Sequence, residues 1–309
     1  MANESENGLD LLNSGSQFIS FLIYPLVKMG MNYFFITLFF SLISLKGFFI
    51  YLDLIYEKYA ENYILYFLFL FMIPSLHFWT SFISKEALVF YLMAFILSNV
   101  INKKGVTVTL VTSIVLLLLI RPYLFFIVTL MYSINWFLEF NSMRWKKAIT
   151  ILAIFGAVIA IGLPIVQNFL RLDTLSFDNL INSYNKIILY SQNYGNSSID
   201  LNNSNYVERL ILVLFRPFFV DSNTIVHLFV SIENLFVWAI LIKLCFCCKI
   251  KMRSIKQIAF PLITSVLLIM FYSIYMYNMG LASRMRVMFL PYLFFTIYYY
   301  ISVNKKWVA

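Results

Sequence analysis

Residues 31–52 read MNYFFITLFFSLISLKGFFIYL and contain one charged side chain, Lys46. About 20 consecutive apolar residues are enough for a helix to cross the hydrocarbon core of a bilayer. Lys46 is compatible with such a helix, because a lysine can bury its methylene chain and extend its ammonium group toward water. The stretch therefore predicts a membrane-spanning helix, and comparable stretches recur along the chain.

The composition agrees with repeated spans. The 309 residues are 62% hydrophobic and 12% charged, whereas soluble domains carry about 25% charged residues. We expect an all-α, polytopic integral membrane bundle of about nine or ten transmembrane helices, forming a single domain over residues 1–309. Besides residues 31–52, the predicted spans are 63–82, 87–101, 106–120, 123–138, 148–170, 224–248, 258–277 and 287–303.

Several segments are predicted to lie between or outside these spans. Residues 1–30 form an external or interfacial N-terminal segment, and its weakly apolar part, 17–29, is either an interfacial helix or a tenth span. Residues 171–223 are polar and form a long external loop with an interfacial helix at 206–220. Turns are expected at 53–62 and 278–286, and the short spans on either side of Arg121 form a hairpin with that residue at its tip.

The basic residues predict an orientation, because cytoplasmic loops are enriched in lysine and arginine. One orientation of the spans agrees with all the basic loops. It places the C-terminus in the cytoplasm and the 171–223 loop outside. The inner face then carries twelve basic residues, two of them arginine, and the outer face carries nine, six of them arginine. A guanidinium group can bind two phosphate oxygens at once. The arginine-rich outer face therefore suggests a bound anion.

Other function classes find no support in the sequence. The net charge is +9, but the sequence has no basic run with interleaved aromatics outside the membrane. We therefore expect no nucleic acid partner. Cys245, Cys247 and Cys248 precede basic residues at one helix end, which predicts reduced thiols on the cytoplasmic side. No Walker motif, glycine-rich dinucleotide loop or metal-ligand set is present. We therefore expect neither a metal nor a cofactor.

Four short elements break the apolar pattern. The first is PSLHFWTSFISKEA at 74–87, and the others are IRPY at 120–123, FRPF at 215–218 and SRMR at 283–286. Ionisable residues at membrane depth face a cavity or a partner and mark function. One interpretation is that the four elements meet in a single site that binds a diphosphate through Lys85 and four arginines. The other is that the arginines reach the interface or pair with Glu86, Glu208 or Asp221. The arginines are Arg121, Arg216, Arg284 and Arg286.

Three residues are candidates for proton transfer. Glu86 is a carboxylate at a span end and could accept a proton from a sugar hydroxyl, although a helix-end pair with Lys85 explains it equally well. His77 could orient or deprotonate a hydroxyl, but a histidine in an aromatic helix is more often a packing residue. Asp221 follows FRPF and could instead cap the next helix. Glu233 lies within a span and requires a partner, for which His227 or an outer arginine is available.

These elements resemble those of a known family. The PSLHFWTSFISKEA element, IRPY, the FRPF segment with its later Asp221 and IEN, and SRMR are similar to bacterial polysaccharide polymerases of the Wzy type, which join O-antigen or capsule repeat units. They resemble more loosely other multi-span glycosyltransferases of the GT-C architecture. The similarity covers most of residues 34–300. The chain departs from the family at its short N-terminal region, where a first span is missing and Asp10 is the nearest candidate carboxylate.

The resemblance implies an inverting, metal-independent glycosyl transfer on the outer face of the bacterial inner membrane. One polyprenyl-diphosphate-linked glycan is the donor, and the non-reducing end of another is the acceptor. The four arginines would stabilise the departing diphosphate, and a chain-length regulator is a further expected partner. The alternatives are a flippase of lipid-linked glycans and a non-catalytic partner in polysaccharide export. A flippase predicts internal repeats and charges at mid-membrane, whereas the charges here gather toward one face.

Overall fold

The computed structural model describes residues 14–59, 73–139, 176–193, 198–221, 225–247 and 252–305, with isolated positions between 149 and 174. Every regular element in these ranges is helical, which confirms the all-α prediction for them. The α-helices are α1 Ser16–Lys28, α2 Tyr33–Tyr59, α3 Pro74–Thr80, α4 Lys85–Ile101, α5 Val108–Ile120, α6 Pro122–Glu139, α7 Phe177–Asn193, α8 Tyr206–Phe215, α9 Ile225–Cys247, α10 Met252–Tyr275 and α11 Met279–Lys305.

Two of the described helices are long and apolar enough to cross a membrane. They contain Tyr33–Glu57 of α2, with a mean hydropathy of 1.9, and Ile258–Tyr275 of α10, with a mean hydropathy of 2.0. The bent pair of α3 and α4 becomes a third candidate if it forms one broken span. Most of the predicted span 148–170, the first part of the predicted span 63–82 and Asp10 lie outside the described residues.

Helix α2 extends through most of the turn predicted at 53–62. It continues to Tyr59, because no glycine or proline interrupts the segment and its residues are compatible with a helix. Tyr51, Leu52, Leu54 and Ile55 are all buried. Their spacing places apolar side chains on one face of the helix, and the burial of that face stabilises the helix beyond Asp53.

The predicted turn at 278–286 is also wrong. Helix α11 begins at Met279, and the Asn278 side chain accepts hydrogen bonds from the backbone N–H groups of Gly280 and Leu281 at 2.8 and 3.2 Å. Such a cap satisfies amides that have no partner in the first helical turn. The SRMR element therefore lies in the first two turns of a helix.

The described part of the predicted 171–223 loop contains two α-helices, α7 and α8, and a short 3-10 helix at Phe219–Asp221. Helix α8 ends at Phe215, before the predicted end at residue 220. Pro217 has no N–H to donate and disfavours a helical conformation at the residue before it. Arg216 accordingly adopts an extended conformation, with φ −80° and ψ 147°.

The chain forms two compact units whose ranges alternate along the sequence. The first unit comprises Met1–Ile50 and Thr80–Ser176, and the second comprises Tyr51–Trp79 and Phe177–Ala309. In the first unit, α5 packs against α1, α4 and α6. Gly47 allows α2 to approach α4, since a Cβ atom there would lie 3.1 Å from the Tyr91 Cα atom.

The second unit is built around the contact between α10 and α11, and α8 packs against both of them and against α9. Arg209 connects several of these elements. Its guanidinium donates hydrogen bonds to the Leu201 carbonyl at 2.5 Å, the Tyr184 hydroxyl at 2.9 Å and the Ile274 carbonyl at 3.4 Å. Arg209, one of the arginines predicted on the outer face, therefore connects α7 and the segment before α8 to α10.

Candidate functional site

The predicted site residues are divided between the two units. Lys85, Glu86 and Arg121 belong to the first unit. The second unit holds the remaining five: His77, Arg216, Asp221, Arg284 and Arg286. That all four sequence elements meet in one site stays a prediction, whereas FRPF, IEN and SRMR are brought together within the second unit.

In the first unit, Glu86 and Arg121 form a buried ion pair. Ser84 caps α4 by accepting a hydrogen bond from the Ala87 N–H at 3.4 Å, which places Glu86 in the first turn. Glu86 is 0% exposed, and its Oε1 atom accepts a hydrogen bond from Nη2 of Arg121. Arg121 Nη1 donates to the Tyr123 hydroxyl at 2.7 Å. Arg121 is thus the arginine of this set that pairs with Glu86, as one of the predicted alternatives allowed, and Lys85 is half-buried and next to Glu86 in sequence.

In the second unit, Arg286 is an interior residue with 1% of its surface exposed. Its Nε atom donates to the Val213 carbonyl at 2.8 Å, its Nη1 atom to the Asn234 Oδ1 atom at 2.6 Å and its Nη2 atom to the carbonyls of Leu212, at 3.3 Å, and Arg216. The last carbonyls of a helix have no partner within the helix, and a cation at that end also complements the helix dipole. Arg286 therefore satisfies the C-terminal end of α8.

Arg216 forms the second ion pair, with Asp221. Its Nε and Nη2 atoms donate to the two oxygens of the Asp221 carboxylate at 2.9 and 2.5 Å, a bidentate geometry in which arginine binds strongly. The Pro217 carbonyl accepts hydrogen bonds from Ser231 Oγ at 3.2 Å and Asn234 Nδ2 at 2.8 Å. The FRPF backbone is thereby fixed to α9. Arg216 is the arginine of the set that pairs with Asp221, as one of the predicted alternatives allowed.

The Arg216 side chain lowers the pKa of Asp221 below its ordinary value of 3.8, although partial burial opposes this shift. The pair should therefore stabilise the folded protein above pH 3.8, and the contribution should be lost as the pH falls through the lowered pKa. We expect D221N to melt at a lower temperature than the unmodified protein at neutral pH, with a difference that shrinks below pH 3.8. Thermal melts in detergent, followed by tryptophan fluorescence, measure this. A difference that stays constant over that range would contradict it.

A cavity of about 430 Å³ lies in the second unit, within the ~300–1,000 Å³ typical of small-molecule sites. Apolar atoms form most of its wall, and Phe78 and Trp79 meet there edge to face with 5.0 Å between ring centroids. Its lining residues come from α3, the FRPF segment, α9 and the start of α11. They are Pro74, Ser75, Phe78, Trp79, Pro217, His227, Phe229, Val230, Glu233, Met279, Gly280 and Ser283.

Glu233 supplies a buried carboxylate to this cavity. It is 3% exposed, and both of its oxygens accept hydrogen bonds from Ser75, from the backbone N–H at 3.0 Å and from Oγ at 2.5 Å. Pro74 begins α3, so the Ser75 N–H is one of the amides that the helix itself leaves without a partner. The contact therefore joins α9 to the start of α3.

Two arginines are sequence neighbours of residues that line the cavity. Arg216 precedes the lining residue Pro217, and Arg284 follows the lining residue Ser283. The Arg284 guanidinium carbon lies 5.7 Å from the centroid of the Trp79 ring, a distance at which a cation and an aromatic face attract each other. His77 lies on α3 two residues before Trp79 but does not line this cavity.

Glu233, Ser75 and Trp79 are cavity residues that the predicted site does not include. The sequence does indicate Glu233 as a candidate, because a carboxylate in an apolar helix requires a partner. That partner is Ser75, which is 158 positions away in sequence. Trp79 and Ser75 lie within the PSLHFWTSFISKEA element, but nothing in the sequence separates them from its other polar and aromatic residues.

No cluster of three His, Cys, Asp or Glu side chains suited to a metal ion occurs among the described residues. Comparisons with protein-family models, curated proteins and solved structures give no match to this chain.

Proposed function

We propose that the chain is a membrane glycosyltransferase that joins polyprenyl-diphosphate-linked oligosaccharide repeat units into a surface polysaccharide. It does so on the outer face of the bacterial inner membrane, as a bundle of about nine or ten spans with its C-terminus in the cytoplasm. The donor and the acceptor are both lipid-linked glycans. The energy for the new glycosidic bond comes from the activated diphosphate linkage of the donor.

The observation that carries the proposal is the cavity of the second unit. It combines aromatic side chains, which can pack against the C–H face of a sugar, with the buried carboxylate of Glu233 and the imidazole of His227. Ligand sites have this composition, a mainly apolar wall with a few convergent polar groups. Arg216 and Arg284 are sequence neighbours of cavity-lining residues in the same compact unit, and this supports a site for a sugar and a diphosphate.

The two arginines differ in the contacts that hold their side chains. Arg216 is held by Asp221 and is preorganised at the end of α8, while Arg284 lies over the Trp79 ring. Cationic donors aimed at the position where charge develops in the transition state stabilise a leaving group. The proposal assigns that role to Arg216 and Arg284. Arg286 has four hydrogen bonds to groups of the protein, which make it a support for the segment that carries Arg216.

The proposal is tested by reconstituting the protein in nanodiscs with lipid-linked glycans isolated from source cells that lack this chain. We expect the glycans to lengthen into a ladder on a gel, in the absence of divalent cations and nucleotides. A flippase would instead move the lipid-linked glycan between the leaflets of a proteoliposome without lengthening it. Glycans that cross the bilayer at constant length would contradict the proposed function.

A further inference from the structure

We propose that Glu233 accepts the proton of the acceptor sugar hydroxyl, with Ser75 as the residue that positions its carboxylate. The inference rests on the proposed function and deepens it, because it identifies the cavity as the subsite of the acceptor sugar. The hydrogen bonds that Glu233 accepts come from Ser75, and the proposed function has so far given its carboxylate no chemical role.

The position of Glu233 combines burial with access to the cavity. The carboxylate is 3% exposed yet lines a cavity of about 430 Å³. An ionised carboxylate offers about four acceptor positions, and Ser75 uses two of them. The remaining positions can receive a hydrogen bond from a hydroxyl group bound in the cavity.

Ser75 fixes the carboxylate in two directions. Its backbone N–H lies 3.0 Å from Oε2, and its hydroxyl lies 2.5 Å from Oε1. Because the backbone donor belongs to the start of α3, the Glu233 side chain cannot rotate without leaving a buried amide unsatisfied. A proton acceptor held in one orientation is what general base catalysis requires.

The other described carboxylates near the predicted elements are bound by arginines. Glu86 is paired with Arg121 in the first unit, and Asp221 is bound in bidentate fashion by Arg216. A carboxylate whose charge is neutralised by an adjacent guanidinium is a weaker base. Glu233 is hydrogen-bonded by the neutral donors of Ser75 instead. Arg286 attracts its charge from a distance without an ion-pair contact, and Glu233 is the one of these three that lines the cavity.

The transfer step balances without a co-reactant. The acceptor hydroxyl oxygen forms a bond to the anomeric carbon of the donor sugar, and the bond between that carbon and the diphosphate oxygen breaks. The diphosphate leaves with the electron pair, next to Arg216 and Arg284. The hydroxyl proton moves to Glu233, and attack from the face opposite the leaving group inverts the anomeric centre.

The test is the variant Glu233→Gln. Glutamine retains the contacts to Ser75, because its carbonyl oxygen can accept from the backbone N–H and its amide can donate to the hydroxyl, which both donates and accepts. It cannot accept a proton at neutral pH. We expect elongation of the isolated lipid-linked glycans to fall about 100-fold or more, while retention of radiolabelled glycan by the nanodisc-embedded protein stays within about threefold of the unmodified value.

Two further variants complete the experiment. Glu208→Gln makes the same change at an exposed carboxylate of the second unit that caps α8 by accepting from the Asn205 N–H at 3.0 Å, and it should elongate at the unmodified rate. Ser75→Ala keeps the carboxylate but removes one donor, and about a tenfold loss of rate is expected.

The outcomes separate this inference from the proposed function. If the unmodified protein elongates glycans and Glu233→Gln does so within about threefold of its rate, Glu233 is not the base. Loss of glycan retention together with elongation would also overturn the inference, because Glu233 would then serve in binding or folding. If the unmodified protein itself fails to elongate, the proposed function is what fails.

Discussion

Arg286→Met is expected to destabilise the protein by about 4 kcal/mol or more. The substitution removes the donors for the Val213 and Arg216 carbonyls and for the Asn234 amide oxygen, and one of the two donors to the Leu212 carbonyl. A buried acceptor without a partner costs ~1–3 kcal/mol, and no water can reach a residue with 1% exposure without local opening. Because native domains are stable by only ~5–15 kcal/mol, a large part of the total stability is at risk.

The measurement is the melting temperature in detergent, where we expect a decrease of roughly 8 °C or more. Arg284→Met is the matched control, since it makes the same change two residues earlier on the same helix. Arg284 is only half-buried and lies over an aromatic ring, so its loss should cost less than the loss of the fully buried Arg286. Arg286→Lys should fall between them, because an ammonium group donates from one point and cannot reach every carbonyl. Equal melting temperatures for the two methionine variants would contradict this account of Arg286.

The second large effect is expected at the Glu86–Arg121 pair of the first unit. Glu86→Gln removes the carboxylate charge that Arg121 contacts, and Arg121→Met removes the guanidinium that contacts the fully buried Glu86 carboxylate. Breaking a buried ion pair from one side costs ~3–5 kcal/mol. We expect each single variant to lose that much stability, measured as the fall in melting temperature and in the yield of monodisperse protein.

The double variant Glu86→Leu with Arg121→Met removes both charges and fills the space with apolar groups. Such replacements are often neutral or stabilising, so the double variant should melt at a higher temperature than either single variant. Additive losses in the double variant would contradict the pair as the source of the effect. The same protein also tests the predicted catalytic role of Glu86, because a folded double variant that elongates glycans at the unmodified rate would exclude that role.

Much of the helical architecture is readable from the sequence, because long apolar runs and the residues that end them act locally. Ser84 before Lys85 and Pro122 after Arg121 mark the helix boundaries on which the first ion pair is built. The start of α11 is not readable in this way. The charges of SRMR suggest contact with water, yet Arg286 is buried because the carbonyls at the end of α8, more than 70 positions earlier in the chain, provide its partners.

The candidate site shows the same division between local and long-range information. Arg216 and Asp221 are close in sequence, and the pairing of an arginine with Asp221 is among the predicted alternatives. The sequence identifies Glu233 as a costly charge in an apolar helix, but its partner Ser75 and the cavity that both residues line depend on how α3 and α9 pack. A pattern of residues therefore identifies which groups need partners, while the tertiary structure decides which partner each one has.

The central claim is that this chain transfers glycan from one lipid diphosphate to another glycan. The most direct measurement counts the polyprenyl diphosphate released per new glycosidic linkage, using nanodisc-embedded protein and isolated lipid-linked glycans. We predict that one polyprenyl diphosphate appears for each repeat unit added, and that Glu233→Gln suppresses release and elongation together while Glu208→Gln changes neither. Lengthening of the glycan without release of the diphosphate, or release with no lengthening, would contradict the account.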